Sequence, residues 1–194
     1  MRKITAARFL ALLFFLRSSF PKDCLPSPKE KRVTRYVNCD YGYAVKVPSG
    51  IIGRAPEYEN HGFHMEFPDG QSTIEVYNAF NMSDSVSPRA VFDYELKFRA
   101  EGRAGWRIIS RHNEKIKGLA AASVTATYKR KGIQWKSHCV IIYRPEDSEG
   151  LGNIVYLFEL TTPLERYEET SVELNRTLEG FELTKLPIGP CSND

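Results

Sequence analysis

Apolar side chains at every second position put one face of a strand on a core and the other in water, and this chain repeats that period along most of its length. Tyr41, Tyr43, Val45 and Val47 alternate with Gly42, Ala44 and Lys46 until Pro48-Ser49-Gly50 breaks the run. Phe63, Met65 and Phe67 repeat the pattern before the Pro68-Asp69-Gly70 turn, and Ile74 and Val76 repeat it again. A second block of strands is predicted over Trp106 to about Ile116, Leu119 to Tyr128, Ile133 to Tyr143 and Asn153 to Leu160, divided by glycine-containing or charged turns. Connections of hairpin length inside each block favour antiparallel pairing.

Two helices interrupt the strands. Ser87-Pro88 offers a serine cap and a proline in the first turn, and no further breaker follows until about Gly102. On that helix Val91, Tyr94 and Phe98 fall on one face and Phe92 and Leu96 on another, which predicts a helix covered on two sides or one shorter than drawn. The closing helix is read from Thr162-Pro163-Leu164-Glu165, a threonine cap with a capping-box glutamate, and from the stripe Leu164, Tyr167, Leu174, Leu178 and Phe181 ending beside Gly180. Ala120, Ala122, Val124 and Ala126 give one strand a flat face on which a helix can pack closely. The fold class expected is α+β, an antiparallel sheet flanked by helices in an α/β/α sandwich.

Arg2, Lys3 and Arg8 lead the apolar run Phe9–Leu16, and Pro21 follows, which reads as a secretory signal over residues 1–20. Arg17 interrupts the small-residue cleavage pattern, and Pro21, Lys22 and Asp23 before Cys24 argue against a lipoprotein site. Residues 21–32, rich in proline and charge, are expected to be a flexible tether, 33–186 a single domain and 187–194 a tail. The apolar run is shorter than the ~20 residues a bilayer span requires, so no stable span is expected in the mature chain. Loss of the leader leaves 23 basic residues against 24 acidic, a balance that disfavours nucleic acid as a partner. The cluster Lys129-Arg130-Lys131-Gly132 reads as a charged hairpin turn, with an anionic partner as the lesser reading. Cys24, Cys39, Cys139 and Cys191 are an even set suited to disulfides in an oxidising compartment, with three possible pairings; Cys139, inside an apolar strand, is either half of one or a buried free thiol. The localisation expected is secreted or periplasmic.

From about Asp40 to Leu183 the chain resembles the PsbP-like or Mog1-like α/β/α sandwich superfamily and the small secreted bacterial proteins grouped with it. The resemblance rests on the opening DYGYAVKVP strand, the helix after Ser87-Pro88, the GLAAASVTATY strand and the closing RYEETSVELNRTLEGFEL helix and strand. It implies a fold and an accessory, docking or chaperone-like habit, and it carries no catalytic motif or site residue.

Asn60, His61, His64 and Glu66 are the candidate binding residues. His64 and Glu66, two apart on a strand, point to one side, and His61 lies in the loop before them; ordinary hydrogen bonding outweighs metal ligation for so short a stretch, so no metal or cofactor is assigned. His138 and Cys139 face opposite sides of a strand and cannot form a dyad, and no catalytic residue is assigned. The tyrosines at 36, 58, 77, 128 and 143 and Trp135 are numerous enough for a contact surface, although core packing accounts for most. The reading is an exported, non-catalytic accessory or binding domain that engages a protein or envelope component through the loop Gly50–Gly62, so deletion of residues 51–60 should leave stability intact. The alternatives are a hydrolase dependent on metal (His61, His64, Glu66) or thiol (Cys139), and a chaperone-like partner of secreted effectors, which requires a contiguous apolar groove.

Overall fold

The computed structural model describes residues 30–56, 62–80, 88–145 and 153–184. In chain order the strands are β1 (Glu30–Val33), β2 (Arg35–Asn38), β3 (Tyr43–Lys46), β4 (Ile52–Pro56), β5 (Gly62–Glu66) and β6 (Thr73–Phe80). Helix α1 (Pro88–Ala100) precedes β7 (Ala104–Ile116), β8 (Leu119–Arg130), β9 (Ile133–Arg144) and β10 (Ile154–Pro163). A 3-10 turn, Leu164–Arg166, then leads into α2 (Tyr167–Glu179) and β11 (Phe181–Leu183). One antiparallel sheet has the order β1-β4-β5-β6-β10-β9-β8-β7, and a second has β11-β3-β2. The expected α+β architecture is the one observed: a large antiparallel sheet with two helices packed against it.

Strand alternation distributes the core. Tyr156, Phe158 and Leu160 of β10 share a face with Val140 and Ile142 of β9, Ile74 and Val76 of β6, and Phe63 and Met65 of β5. Against this face lie Leu174 of α2 and the small sheet, in one continuous cluster. Its centre is aromatic, with Phe181 5.3 Å from both Tyr156 and Phe158 and Tyr43 5.2 Å from Tyr156, in the tilted and edge-on arrangements that aromatic quadrupoles favour. The opposite face offers the small-residue strip foreseen on β8: Ala122 and Val124, with Ile141, Tyr143, Val155 and Leu157, receive Val91, Phe92 and Leu96 of α1.

Four expectations change. Residues 30–32, assigned to a tether, are strand, because β1 pairs with β4 from Glu30↔Pro56 to Val33↔Gly53. The segment Gly50–Gly62 is not one long loop but contains β4, so deletion of residues 51–60 would remove a sheet strand; residues 57–61 lie outside the described residues. Thr162 is not a helix cap: β10 continues through it, its hydroxyl lies 2.8 Å from Ser72 Oγ, and Leu164 is exposed. The first helix is covered on one side only, leaving Tyr94 61% and Phe98 58% exposed. The signal (1–20) and the tail (187–194) lie outside the described residues. At the far edge β7 pairs with β8 through two register shifts, between Ala104 and Arg107 and between Ile108 and Ser110.

Gly62 opens β5 at φ +132°, and a Cβ there would sit 1.9 Å from the Val76 carbonyl oxygen of the neighbouring strand. Gly62→Ala should therefore lower the unfolding free energy by about 3 kcal/mol. A urea titration measures it, and a change below about 0.5 kcal/mol, the size of an ordinary surface substitution, would contradict the strand placement.

Candidate functional site

Strand β10 is buried from end to end, yet it carries a carboxylate, Glu159, with none of its side chain exposed. A buried charge must be paired, and the pairing comes from the far end of α1. Arg103, in the turn after the helix, hydrogen-bonds Glu159 Oε1, Ser137 donates to the same oxygen at 2.6 Å, and Arg99 Nη1 lies 3.4 Å from Oε2. The Arg103 guanidinium is also 5.0 Å from the Tyr128 ring and 5.3 Å from that of Trp106, so two aromatic faces fix its position. Burial alone would push Glu159 up, but Arg103, Arg99 and Ser137 outweigh it and keep the carboxyl below its ordinary range. Burial, then the charge of Glu159, raises the neighbouring Glu75, against partial relief from Arg99 and Arg103.

Register extends this knot into a polar row on the α1 face of the sheet. Glu159 is level with Cys139 on β9 and Glu75 on β6, Glu75 with His64 on β5, and His64 with Arg54 on β4. Of the candidate binding residues His64 belongs to the row, and Glu66, two positions along β5 on the same face, borders it. His64 Nε2 lies 3.5 Å from Glu66 Oε1, and Arg54 Nε donates to Glu66 Oε2 at 2.7 Å, lowering the Glu66 pKa mainly through that bond. Asn60 and His61 lie outside the described residues. Among the described residues no three His, Cys, Asp or Glu side chains gather closely enough to hold a metal ion.

The row borders a groove. Because the buried side of α1 packs on β8, β9 and β10, its outer flank and the surface of β6 bound an open trough of about 540 Å³. Val155, Leu157 and Ala79 line it with Tyr94 and Phe98 of the helix and with Tyr77, whose ring holds the Arg99 guanidinium at 4.8 Å. The second apolar stripe of α1, which made its sequence pattern untidy, is this flank.

The other titratable candidates are committed to structure. Cys139 is free and buried, with Sγ 3.4 Å from Ser137 Oγ; burial and then Glu159 push its thiol far up, away from the thiolate. This removes Cys139 from the disulfide candidates. Cys39 is disulfide-bonded, and Cys24 and Cys191 lie outside the described residues. On the opposite face from Cys139, His138 has Ser123 Oγ 2.8 Å from Nε2 and the Tyr167 hydroxyl 3.0 Å from Nδ1. Burial first, then Lys136 and His112, lower its pKa to about 4.

No protein-family model and no curated protein matches the sequence. Solved structures do match. PsbP of the cyanobacterium Synechocystis (CyanoP) is 12% identical with a TM-score of 0.53, over 82% of this chain and 95% of that one. A point mutant of the protein Mog1 is 13% identical with a TM-score of 0.53, over 81% and 97%. LpqN of Mycobacterium tuberculosis, described as involved in cell envelope biogenesis, is 12% identical with a TM-score of 0.50, over 81% and 91%. The fold is PsbP/Mog1-like. At such identities the likeness defines the PsbP/Mog1-like fold and carries no residue of a site across.

The sequence reading missed Glu75, Arg99, Arg103 and Glu159. The available signal was the single carboxylate within Ile154–Thr162, a run otherwise without charge. Arg103→Leu should cost about 3–5 kcal/mol, since it strands a buried carboxylate, and the double variant Arg103→Leu/Glu159→Leu should recover much of the loss in denaturant titrations. Glu75 has the opposite sign. Its folded-state pKa is raised, so its contribution is complete below the unfolded pKa and is lost as pH rises through the folded value. Glu75→Gln should consequently raise Tm at neutral pH and leave it unchanged near about pH 3, where both states hold the proton.

Proposed function

We propose that this chain is an exported, non-catalytic binding domain that engages a protein or another component of the cell envelope through the trough between α1 and β6. The observation that carries the reading is the set of aromatic side chains left in water around one concavity: Tyr77 at 40%, Phe98 at 58% and Tyr94 at 61% exposure. Helix α1 already buries Val91, Phe92 and Leu96, so Tyr94 and Phe98 are surplus to its own packing. Large, rigid, amphipathic rings around a pocket are what recognition surfaces are built from. The trough takes over the role the sequence reading gave to Gly50–Gly62, whose described part is largely strand.

Export is supported by the basic and apolar leader and by the bonded Cys39, which suits an oxidising compartment. The likeness to LpqN, described as involved in cell envelope biogenesis, agrees with an envelope setting. No helix among the described residues is long and apolar enough to cross a membrane. The thiol-dependent alternative loses its nucleophile in Cys139, and Glu66 of the metal-dependent one is engaged by Arg54. The chaperone-like alternative shares the trough, which is the contiguous apolar groove it requires.

The paired variant Tyr94→Asp/Phe98→Asp should keep Tm near the wild-type value, since both side chains are exposed, and reduce capture of the partner from envelope extract at least about tenfold. Quantitative pull-downs with the two proteins test this, and equal capture would overturn the assignment.

A further inference from the structure

The β8–β9 hairpin is free of carboxylates, since no Asp or Glu occurs from Lys115 to Pro145. Its tip is basic. Arg130 pairs with Ile133 across a tight turn, in which Lys131 at φ +50° and Gly132 at φ +79° supply the left-handed backbone such a turn requires. Lys129, Arg130, Lys131 and Ile133 are all exposed there, Ile133 to 50%. Beside the tip, β7 begins with Ala104 level with Lys129 and runs through Trp106 and Arg107 to Ile108 and Ile109, which are 46% and 54% exposed. We propose that this corner of the large sheet docks on a membrane surface rich in anionic phospholipid, its isoleucines entering the interface and its cations meeting the headgroups.

Arg107, Lys129, Arg130 and Lys131 have no carboxylate partner among the described residues. The carboxylates on the adjoining connections are Glu101, three positions before Ala104, and Glu165, two after Pro163, so the cations are in excess. Arg103 stays outside that count because Glu159 neutralises it. Strand alternation sends Arg130 to the face of Tyr128 and Lys129 to the opposite face, with Arg107. A pocket on one face could not gather these charges. A hairpin that meets a plane end-on can, because headgroups surround its tip from both sides. The Trp135 ring, 5.1 Å from the Arg130 guanidinium, braces that cation without neutralising it.

The isoleucines decide between a bilayer and an acidic polymer. A polymer would be held by the cations and would leave Ile108, Ile109 and Ile133 in water, whereas the interface of an anionic bilayer receives both kinds of side chain. Ile108 and Ile133 lie on the face of Tyr128, level with Ala126 and Arg130. Trp106, half-buried with its ring 6.1 Å from that of Tyr128, adds an indole, the side chain that membrane interfaces favour.

Trp106 and Trp135 are the two tryptophans of the chain, so tryptophan emission reads this corner and not the apolar leader. The full chain is titrated with vesicles whose acyl chains carry bromine as a quencher, made of phosphatidylcholine alone or of equal parts phosphatidylcholine and phosphatidylglycerol. Quenching is expected only with the anionic vesicles. The lipid concentration at half-maximal quenching should rise about fivefold in Lys129→Gln and in Lys131→Gln, and about tenfold in Ile133→Ser. Lys115→Gln, at the opposite end of β7, should not change it. All four positions are exposed, so the variants are expected to fold, and matching Tm values verify that. Absence of quenching with anionic vesicles overturns the proposal. Quenching that Ile133→Ser leaves unchanged also overturns it, and points to an acidic polymer as the partner of the cations. Tyr94→Asp/Phe98→Asp should quench like wild type, and a loss in that variant would move the contact to the trough and overturn the assignment to this corner.

Discussion

A strand covered on both faces has no wet side on which to place a polar residue, and β10 is such a strand. Its even-numbered residues from Ile154 to Leu160 build the cluster under α2 and the small sheet, while Val155 and Leu157 build the one under α1. The two layers therefore share one strand, and any distortion of it is felt by both. Glu159 is the exception in that apolar frame. Its neutralisation by Arg103 and Arg99 ties the end of α1 to the middle of the sheet. Pairs of this kind add little net stability compared with apolar packing, but losing one partner is expensive, so they fix geometry more than they strengthen it.

That anchorage decides what the surface offers. Helix α1 packs Val91, Phe92 and Leu96 on β8, β9 and β10 and is tied near its end by the Arg99–Glu159 pair, so its buried side is committed away from β6. The uncovered strip becomes the trough, whose wall, Tyr77 with Arg99, is at once its lining and the lid on the buried carboxylate. Below it the polar row passes through Glu75 and His64 to Arg54. The apolar concavity is thus a consequence of that docking geometry.

The parts of this arrangement that were legible in the sequence are those governed by local periodicity. The long strands and the flat alanine face of β8 follow from residues two apart, and Tyr167, Leu174 and Leu178 of the second helix from spacings of seven and four, while Leu164 and Phe181 of the expected stripe lie outside the helix. The two strands at the β1 end of the large sheet were not legible. Glu30-Lys31-Arg32 is charged throughout, and the β4 segment Ile52–Pro56 mixes Gly53, Arg54 and Pro56, so neither shows alternation, and their strand character comes from pairing with each other. Thr162 carries every mark of a helix cap, but continuation of the ladder with β9 took precedence and its hydroxyl went to Ser72. His64 and Glu66 were found because they sit together on one strand. Arg103 and Glu159 are 56 residues apart, and no spacing rule joins them. The surplus apolar residues of α1 were visible as a conflict, and the conflict marked the trough.

The outer rim of the large sheet is occupied by the 13 residues of β7, long enough to act as a template for another chain's backbone. Its two register shifts break the straight row of amide and carbonyl groups, and Ile109, which is half exposed, falls inside one of them. Arg107, Arg111, Glu114 and Lys115 are spaced along the same ribbon, so a copy approaching in line would meet like charges and a kinked hydrogen-bonding front. Both features work against edge-to-edge pairing of a second copy along this rim.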